Sequence, residues 1–459
     1  MKNSPFSTLF LSLFTSSILL PLSMVAENLS TYHVKASWIY GNILKHTRHL
    51  EQTVKGPTMG AALSVEWPTM GSSKEWPALY QFPDVGVSAT VLNLGNDSIF
   101  GNLAALTPYL RFKTPLAGLM NFHLKTGVGI SYLTKTFQDA RYYNANGTLI
   151  LGRSNAAIGS HLNVFFALEG ELSFSLGKQM EIISSLSWNH ASNGSFYQPN
   201  SGLNMVNAGV GLRYRIASKS LKESAFDQWS NLTNHSVADE YVQQTNDTIR
   251  HYNLQQQNKE LNLDQSDFLN VKIVPVKKWG AEFILSGGTR ELYYRDEERF
   301  ATGAFTFLLY SPVSKKLRVG VGIDTFYDAV FSAVNSATNS TDNRSRYKRT
   351  YLTQDELSNR FRSGISLQPE LIFGKLIAGF HFGIYVFNPI KNLEPYNEAK
   401  ERTLNKGIIY PYNIEKEDGW LYTRASLKYS LSPHLLMHLG LKTHLQKAEF
   451  IEWGLGYRL

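Results

Sequence analysis

The chain has 459 residues, a formal net charge of +8 and no cysteine. The lack of cysteine excludes disulfides, thiolate metal sites and a lipid anchor on a cysteine, and the length suits two or three ordinary domains or one large all-β architecture. The positive balance comes without a basic block, which speaks against nucleic acid and suits a partner carrying phosphates, such as an anionic lipid surface.

Lys2 precedes an apolar run from Phe6 to Leu22, and Ser23-Met24-Val25-Ala26 follows. A basic start, an apolar centre and a small final residue predict a secretory signal peptide over residues 1–26, cut after Ala26. Pro21 and several serines interrupt the run, which weakens the competing picture of an anchoring helix. No later segment offers the roughly 18 to 20 consecutive apolar residues that a spanning helix needs.

Further on, the sequence alternates with a period of two. In SHLNVFFALEGELSFSLG, from Ser160 to Gly177, the even positions Leu162, Val164, Phe166, Leu168, Leu172, Phe174 and Leu176 are apolar, while His161, Asn163, Glu169 and Glu171 hold odd ones. The segment Met180 to Ser192 repeats this, with Met180, Ile182, Leu186 and Trp188 on its apolar parity; Val206, Ala208, Val210, Leu212 and Tyr214 form the apolar face of the next. Residues 217–268 are polar and rich in Asn, Gln, Ser and charge. Arg290-Glu291 through Arg299 is charge-dense and is expected to be a solvated loop tip. Alternation then returns at Leu317–Asp324, Leu421–Tyr429, Leu435–Lys442 and Ile451–Leu459. His438 and His444 fall on the polar parity and are expected to form hydrogen bonds in an interior.

Such a period predicts strands with one apolar and one polar face. A soluble sandwich would alternate too, but these strands often exceed the usual five or six residues. Their polar faces carry Glu, Asp, Arg, Lys and His, which a lumen can pair internally, and aromatics make up 13% of the chain and often sit near strand ends. The fold expected is all-β, a transmembrane antiparallel barrel of the bacterial outer membrane with about 16 strands in one barrel. Two eight-strand halves are the alternative, because Gly209–Ile216 is echoed by Trp453–Leu459. The organisation expected is a hydrolase half over 27–216, a polar periplasmic connection over 217–268 and C-terminal barrel strands over 269–459. Short connections at Gly177-Lys178, Gly374-Lys375 and Ser432-Pro433-His434 would then be periplasmic, and the long ones around 330–360 and 390–419 extracellular.

One stretch carries chemistry: SWNHASNGSFYQPNSGLN, Ser187 to Asn204. His190, Ser192 and Asn204 all fall on the apolar parity, so the three should share a lipid-facing patch near the outer rim. Unpaired polar groups against hydrocarbon are unfavourable, so they should hydrogen-bond to one another. Together they could hydrolyse an ester, with Ser192 as nucleophile, His190 as base and Asn204 holding the imidazole tautomer. Backbone N–H groups at Asn193 and Gly194 could form the oxyanion hole. The bland alternative is a Ser/Asn/Gly turn at a loop mouth.

His190-Ala191-Ser192-Asn193 followed by Gln198-Pro199-Asn200-Ser201-Gly202 resembles the PagL-type lipid A 3-O-deacylases, also called acyloxyacyl-hydrolase-like proteins. The resemblance is strongest from about Ile158 to Ile216 and implies an outer-membrane barrel with a lipid-facing Ser/His pair. One departure stands out: the family's third residue is usually glutamate, and here that position is Asn204. His-x-Ser-Asn-Gly with an asparagine twelve positions after the serine also resembles outer-membrane phospholipase A, which uses a Ser/His/Asn triad.

These resemblances imply an outer-membrane lipid acyl-ester hydrolase acting on lipid A of lipopolysaccharide, with a phospholipase A as the alternative. From another class, the rival is a non-catalytic channel or structural barrel. No cofactor and no metal are called for, no nucleic acid is expected as partner, and a homodimer is left open.

Overall fold

The computed structural model describes residues 31–70, 72, 74–116, 120–150, 153–217, 279–291, 299–332, 357–388, 421–444 and 447–459. The expected signal peptide and most of the polar connection lie outside these residues, as do the greater parts of the loops around 330–360 and 390–419.

The described strands are β1 (Thr31–Ile43), β2 (Thr58–Pro68), β3 (Asp84–Asn93), β4 (Asn102–Pro115), β5 (Met120–Leu133), β6 (Leu162–Leu176), β7 (Met180–Ser192), β8 (Leu203–Ala217), β9 (Gly280–Glu291), β10 (Arg299–Pro312), β11 (Leu317–Asp328), β12 (Phe361–Phe373), β13 (Leu376–Phe387), β14 (Leu421–Ser430), β15 (Leu435–His444) and β16 (Lys447–Arg458). Two short helices, α1 (Arg48–Thr53) and α2 (Glu75–Leu79), lie in connections of the first half.

The strands close into two barrels of eight, β1–β8 and β9–β16, instead of one barrel of sixteen. The second closes where β16 pairs with β9, from Trp453 opposite Gly287 to Arg458 opposite Glu282. At the seam of the first, the Leu44 N–H donates to the Asn204 carbonyl at 2.7 Å. An eight-strand interior is just wide enough for side chains to fill, and the inward residues have the sizes to fill it. The echo between Gly209–Ile216 and Trp453–Leu459 falls on β8 and β16, the closing strands of the two barrels.

Alternation along each strand is inverted relative to a soluble protein. On β7 the outward Leu186 is 64% exposed and the inward Ile183 2%, and the inward charged groups are the most deeply buried. In the first barrel, Glu171 accepts from Lys35 and from Arg111 Nε at 2.6 Å. Glu66 accepts from Arg213 Nε at 2.6 Å and from the Tyr109 hydroxyl at 2.7 Å. In the second, Glu282 is bridged by Arg318 at 2.8 Å, Lys428 at 2.9 Å and Arg458 at 2.9 Å. Burying one such charge alone would be prohibitive; paired and hydrogen-bonded, these close the interiors. A cavity of about 40 Å³ in the first barrel, lined by Lys35, Ser88, Lys125 and Glu169 among others, is room for little more than water.

His444 meets the expectation for the lumen, with Nδ1 3.1 Å from the Leu421 carbonyl. His438 does not: it lies buried inside the second barrel, yet neither ring nitrogen has a hydrogen-bond partner among the described residues. Its neighbours across the ladder are Lys428 and Gly454, and neither offers an acceptor side chain.

The short connections at Gly177-Lys178, Gly374-Lys375 and Ser432-Pro433-His434 all lie at one end of the strands, the periplasmic end by the usual rule for such barrels. At that end the two barrels touch. The Tyr80 ring stacks on Phe373 at 4.5 Å, and its hydroxyl donates to the Lys316 carbonyl at 3.1 Å. Trp76 packs in the same cluster.

Candidate active site

At the opposite end, the extracellular one by the same rule, β7 and β8 bring His190 and Asn204 directly opposite each other in the ladder. Both share the parity of the lipid-facing Leu186, Trp188, Val210 and Leu212. His190 Nδ1 lies 2.8 Å from Asn204 Oδ1. A carboxamide oxygen only accepts, so Nδ1 carries the proton and Nε2 is left with its lone pair free to take one. Trp188, two residues earlier on the same face, stacks on the His190 ring at 6.1 Å. The Phe166 ring on β6 lies 6.4 Å from it on the other side. The imidazole is thereby held in an aromatic frame on the outer wall.

Ser192 ends β7 on the same parity, opposite Val164, and is buried. Its hydroxyl is not hydrogen-bonded to His190 or Asn204, contrary to the expectation that all three would pair. Asn200 Nδ2 donates to Ser192 Oγ at 3.1 Å, and the Gly194 N–H donates to it at 3.2 Å. The reason is local: β7 stops at Ser192, and the connection 193–202 folds back over it. The Asn193 N–H, expected in an oxyanion hole, donates to Asn200 Oδ1 at 3.3 Å, and its side chain donates to Ser160 Oγ at 2.9 Å. Both expected oxyanion donors thus lie on the turn that covers the serine.

Three neighbours that the sequence did not place here touch these residues. Asn200 lies within the motif that suggested the family, but nothing in the sequence aimed its amide at Ser192. Gly202 has φ +73 and runs so close to His190 that a Cβ there would stand 2.8 Å from the ring Cε1. His46, from the connection after β1, stands behind Asn204: its Nδ1 is 3.4 Å from the Asn204 amide nitrogen and its Nε2 is 3.2 Å from the Ser201 carbonyl. No local motif marks His46; only closure of the barrel between β8 and β1 brings it there.

The expected solvated tip at 290–299 is corrected at its first two residues, whereas Arg299 at the other end is exposed and 292–298 lie outside the described residues. Arg290 is buried and paired with Asp328 at 2.6 Å, and Glu291 is buried as well. Both finish β9, where charge faces the lumen or the other barrel instead of water. No group of His, Asp or Glu among the described residues could hold a metal ion.

A separate apolar groove of about 240 Å³ lies on the outer wall of β3–β5, lined by Ala89, Val91, Ala104, Leu106, Ile130 and Tyr132 among others. It is linked to the serine by register, since Ser192, Val164, Ile130, Leu106 and Ala89 are successive ladder partners.

Residues 59–213 match the family model described as lipid A 3-O-deacylase (PagL), and residues 279–398 and 403–459 match that of the acyloxyacyl hydrolase C-terminal domain. Among solved structures, the outer membrane enzyme PagL is 14% identical, with 39% of this chain and 97% of that one covered and a TM-score of 0.26. Neisserial surface protein A is 7% identical, with 40% and 95% covered and a TM-score of 0.25. The N-terminal barrel domain of Pseudomonas aeruginosa OprF is 14% identical, with 40% and 98% covered and a TM-score of 0.22. No curated protein matches the chain. The two family models fall one on each barrel, and between them they take in all but one of the strands. The chain belongs to the PagL-type lipid A 3-O-deacylase and acyloxyacyl hydrolase family of outer-membrane β-barrels.

Proposed function

We propose that this chain is a serine esterase of the outer membrane that removes an ester-linked acyl chain from lipid A. The observation that carries the proposal is the His190 Nδ1 to Asn204 Oδ1 contact of 2.8 Å on the lipid-facing wall, two residues from Ser192. A polar pair there has no structural benefit that apolar residues would not supply better.

In the proposed reaction the Ser192 hydroxyl turns from Asn200 toward His190 Nε2 and attacks the ester carbonyl while the imidazole takes its proton. Catalytic hydrogen bonds commonly tighten only once substrate is bound. The carbonyl oxygen gains negative charge, which the N–H groups of Asn193 and Gly194 stabilise. Collapse breaks the bond to the sugar oxygen, which leaves with the proton from His190. Water then cleaves the acyl-serine by the reverse proton path and releases a fatty acid. Asn204 keeps the imidazole in the tautomer that exposes Nε2, but it stabilises the imidazolium less than a carboxylate would. The groove on β3–β5 offers an apolar bed on the outer wall for a neighbouring acyl chain.

Phospholipase A is the second reading, favoured by one feature: the third residue is an asparagine, as in the Ser/His/Asn arrangement of outer-membrane phospholipase. Paired side chains filling both interiors argue against a conducting channel. Mass spectrometry of lipid A and phospholipids from cells expressing the chain or Ser192→Ala separates these readings. Lipid A lacking one acyl chain, only with the intact serine, is the expected result. Lysophospholipid with unchanged lipid A would support the phospholipase, and no change in either lipid would leave a non-catalytic barrel.

A further inference from the structure

The turn after Ser192 is held from outside its own barrel. Gly194 and Ser195 are consecutive residues in left-handed backbone, with φ +59 and +68. Glycine takes this conformation freely, whereas Ser195 is strained there and needs its surroundings to keep it. Those surroundings belong to the second barrel. The Ser195 carbonyl accepts from the Glu291 N–H at 3.0 Å, and its hydroxyl donates to the Ala448 carbonyl at 2.9 Å. Three residues on, the Gln198 N–H donates to Glu291 Oε2 at 2.9 Å. The Arg299 guanidinium lies over the rings of Phe196 and Tyr197, at 4.7 and 4.1 Å, and 3.6 Å from Glu291 Oε1.

The outer wall of the second barrel shows the same contact. On β16, Leu455 and Tyr457 face outward and are more than half exposed, while Ile451 on the same parity is 7% exposed. Gly194 covers it so closely that a Cβ there would stand 2.4 Å from Ile451 Cγ1. Among its described residues β15, the seventh strand of the second barrel, carries no outward His–Ser pair: it presents Met437, Leu439, Leu441 and Thr443.

We infer that Glu291, backed by Arg299, is a positioning residue for the chemistry at Ser192. The second barrel clamps residues 194–198, and so sets the direction of the backbone N–H groups that would meet the reacting carbonyl. This rests on the assignment of Ser192 as nucleophile. It gives the second, non-catalytic barrel a role in the reaction: without its clamp, the strained turn at Ser195 relaxes and the donors lose their aim.

The test compares Glu291→Ala, which removes the acceptor for the Gln198 N–H, with Glu291→Gln, which keeps an acceptor oxygen there. Steady-state ester hydrolysis by the full chain in detergent is measured with amide hydrogen exchange over residues 193–202. Glu291→Ala is expected to lower kcat about tenfold with KM nearly unchanged, as for lost transition-state alignment, and to speed exchange in the turn; Glu291→Gln recovers most of both. Wild-type kcat in Glu291→Ala, or unchanged exchange over 193–202, overturns the inference. If Glu291→Ala fails to fold, Arg299→Ala takes its place, and wild-type kcat or unchanged exchange in that variant overturns the inference equally. Should the wild type release no acyl chain at all, the Ser192 assignment fails, and the clamp is judged by exchange alone.

Discussion

An alanine at position 202 should silence the site while sparing the barrel. Residue 202 has φ +73, where an L side chain costs about 1–2 kcal/mol. The larger effect is steric. A Cβ there would stand 2.8 Å from His190 Cε1 and 3.4 Å from Nε2. Carbon atoms settle at about 3.5–4.0 Å, so the imidazole has to retreat by roughly 0.7 Å or more. That retreat displaces Nε2, the nitrogen that takes the serine proton, and strains the bond from Nδ1 to Asn204. A misplacement of about 1 Å can lower a rate about 100-fold, equivalent to about 2.7 kcal/mol in the barrier. Gly177→Ala is the matched control: its φ is +81 and nothing lies within 4 Å of an added Cβ, so it shares the backbone strain without touching the site. Both variants are assayed for hydrolysis of a chromogenic ester in detergent and for heat-modifiable migration as a folded barrel. A Gly202→Ala protein that folds and keeps a kcat within about threefold of Gly177→Ala would refute the placement of His190 as the base.

The same ester assay separates the roles of the triad members. Asn204→Ala should lose about 10- to 100-fold in kcat, far less than Ser192→Ala, because nucleophile and base remain and only the orienting partner is gone. Asn204→Glu should keep activity at the headgroup level, since a carboxylate paired with His190 stabilises the imidazolium; a loss as deep as in Ser192→Ala would point to another third residue. In the lumen, Glu171→Leu strips Lys35 and Arg111 of their shared partner. It should destabilise the first barrel by about 3 kcal/mol. That loss would be read as a lower temperature of heat-modifiable unfolding with kcat unchanged at permissive temperature; an unaltered temperature would show that Glu66, 3.9 Å from Lys35, and Asp84, 3.2 Å from Arg111, suffice.

Parity made much of this protein legible before any coordinates. A period of two needs only the pleat, so the outward face of His190 and Asn204 and the inward face of Glu171 or Arg424 could be read residue by residue. Barrel number could not. Closure depends on β8 bonding to β1 rather than to β9, a contact between residues far apart in the chain, and only the short echo at Gly209 and Trp453 hinted at it. The site was legible along β7 and β8 but not around them. His46 arrives through closure, Asn200 through the path of a ten-residue turn, and Glu291 from the other barrel. The charge of Arg290 and Glu291 suggested water because charge usually seeks it; here Asp328 and the Gln198 N–H take that place.

The central claim is that Ser192 is a nucleophile on the lipid-facing wall, and covalent labelling tests it most directly. The folded protein in detergent is treated with a long-chain fluorophosphonate, and the modified residue is located by peptide mass spectrometry. The account predicts a single adduct on Ser192, lost in Ser192→Ala and strongly slowed in His190→Ala, because only a serine whose proton can be taken attacks phosphorus quickly. An adduct on a different residue, or undiminished acyl release from lipid A by Ser192→Ala, would contradict it.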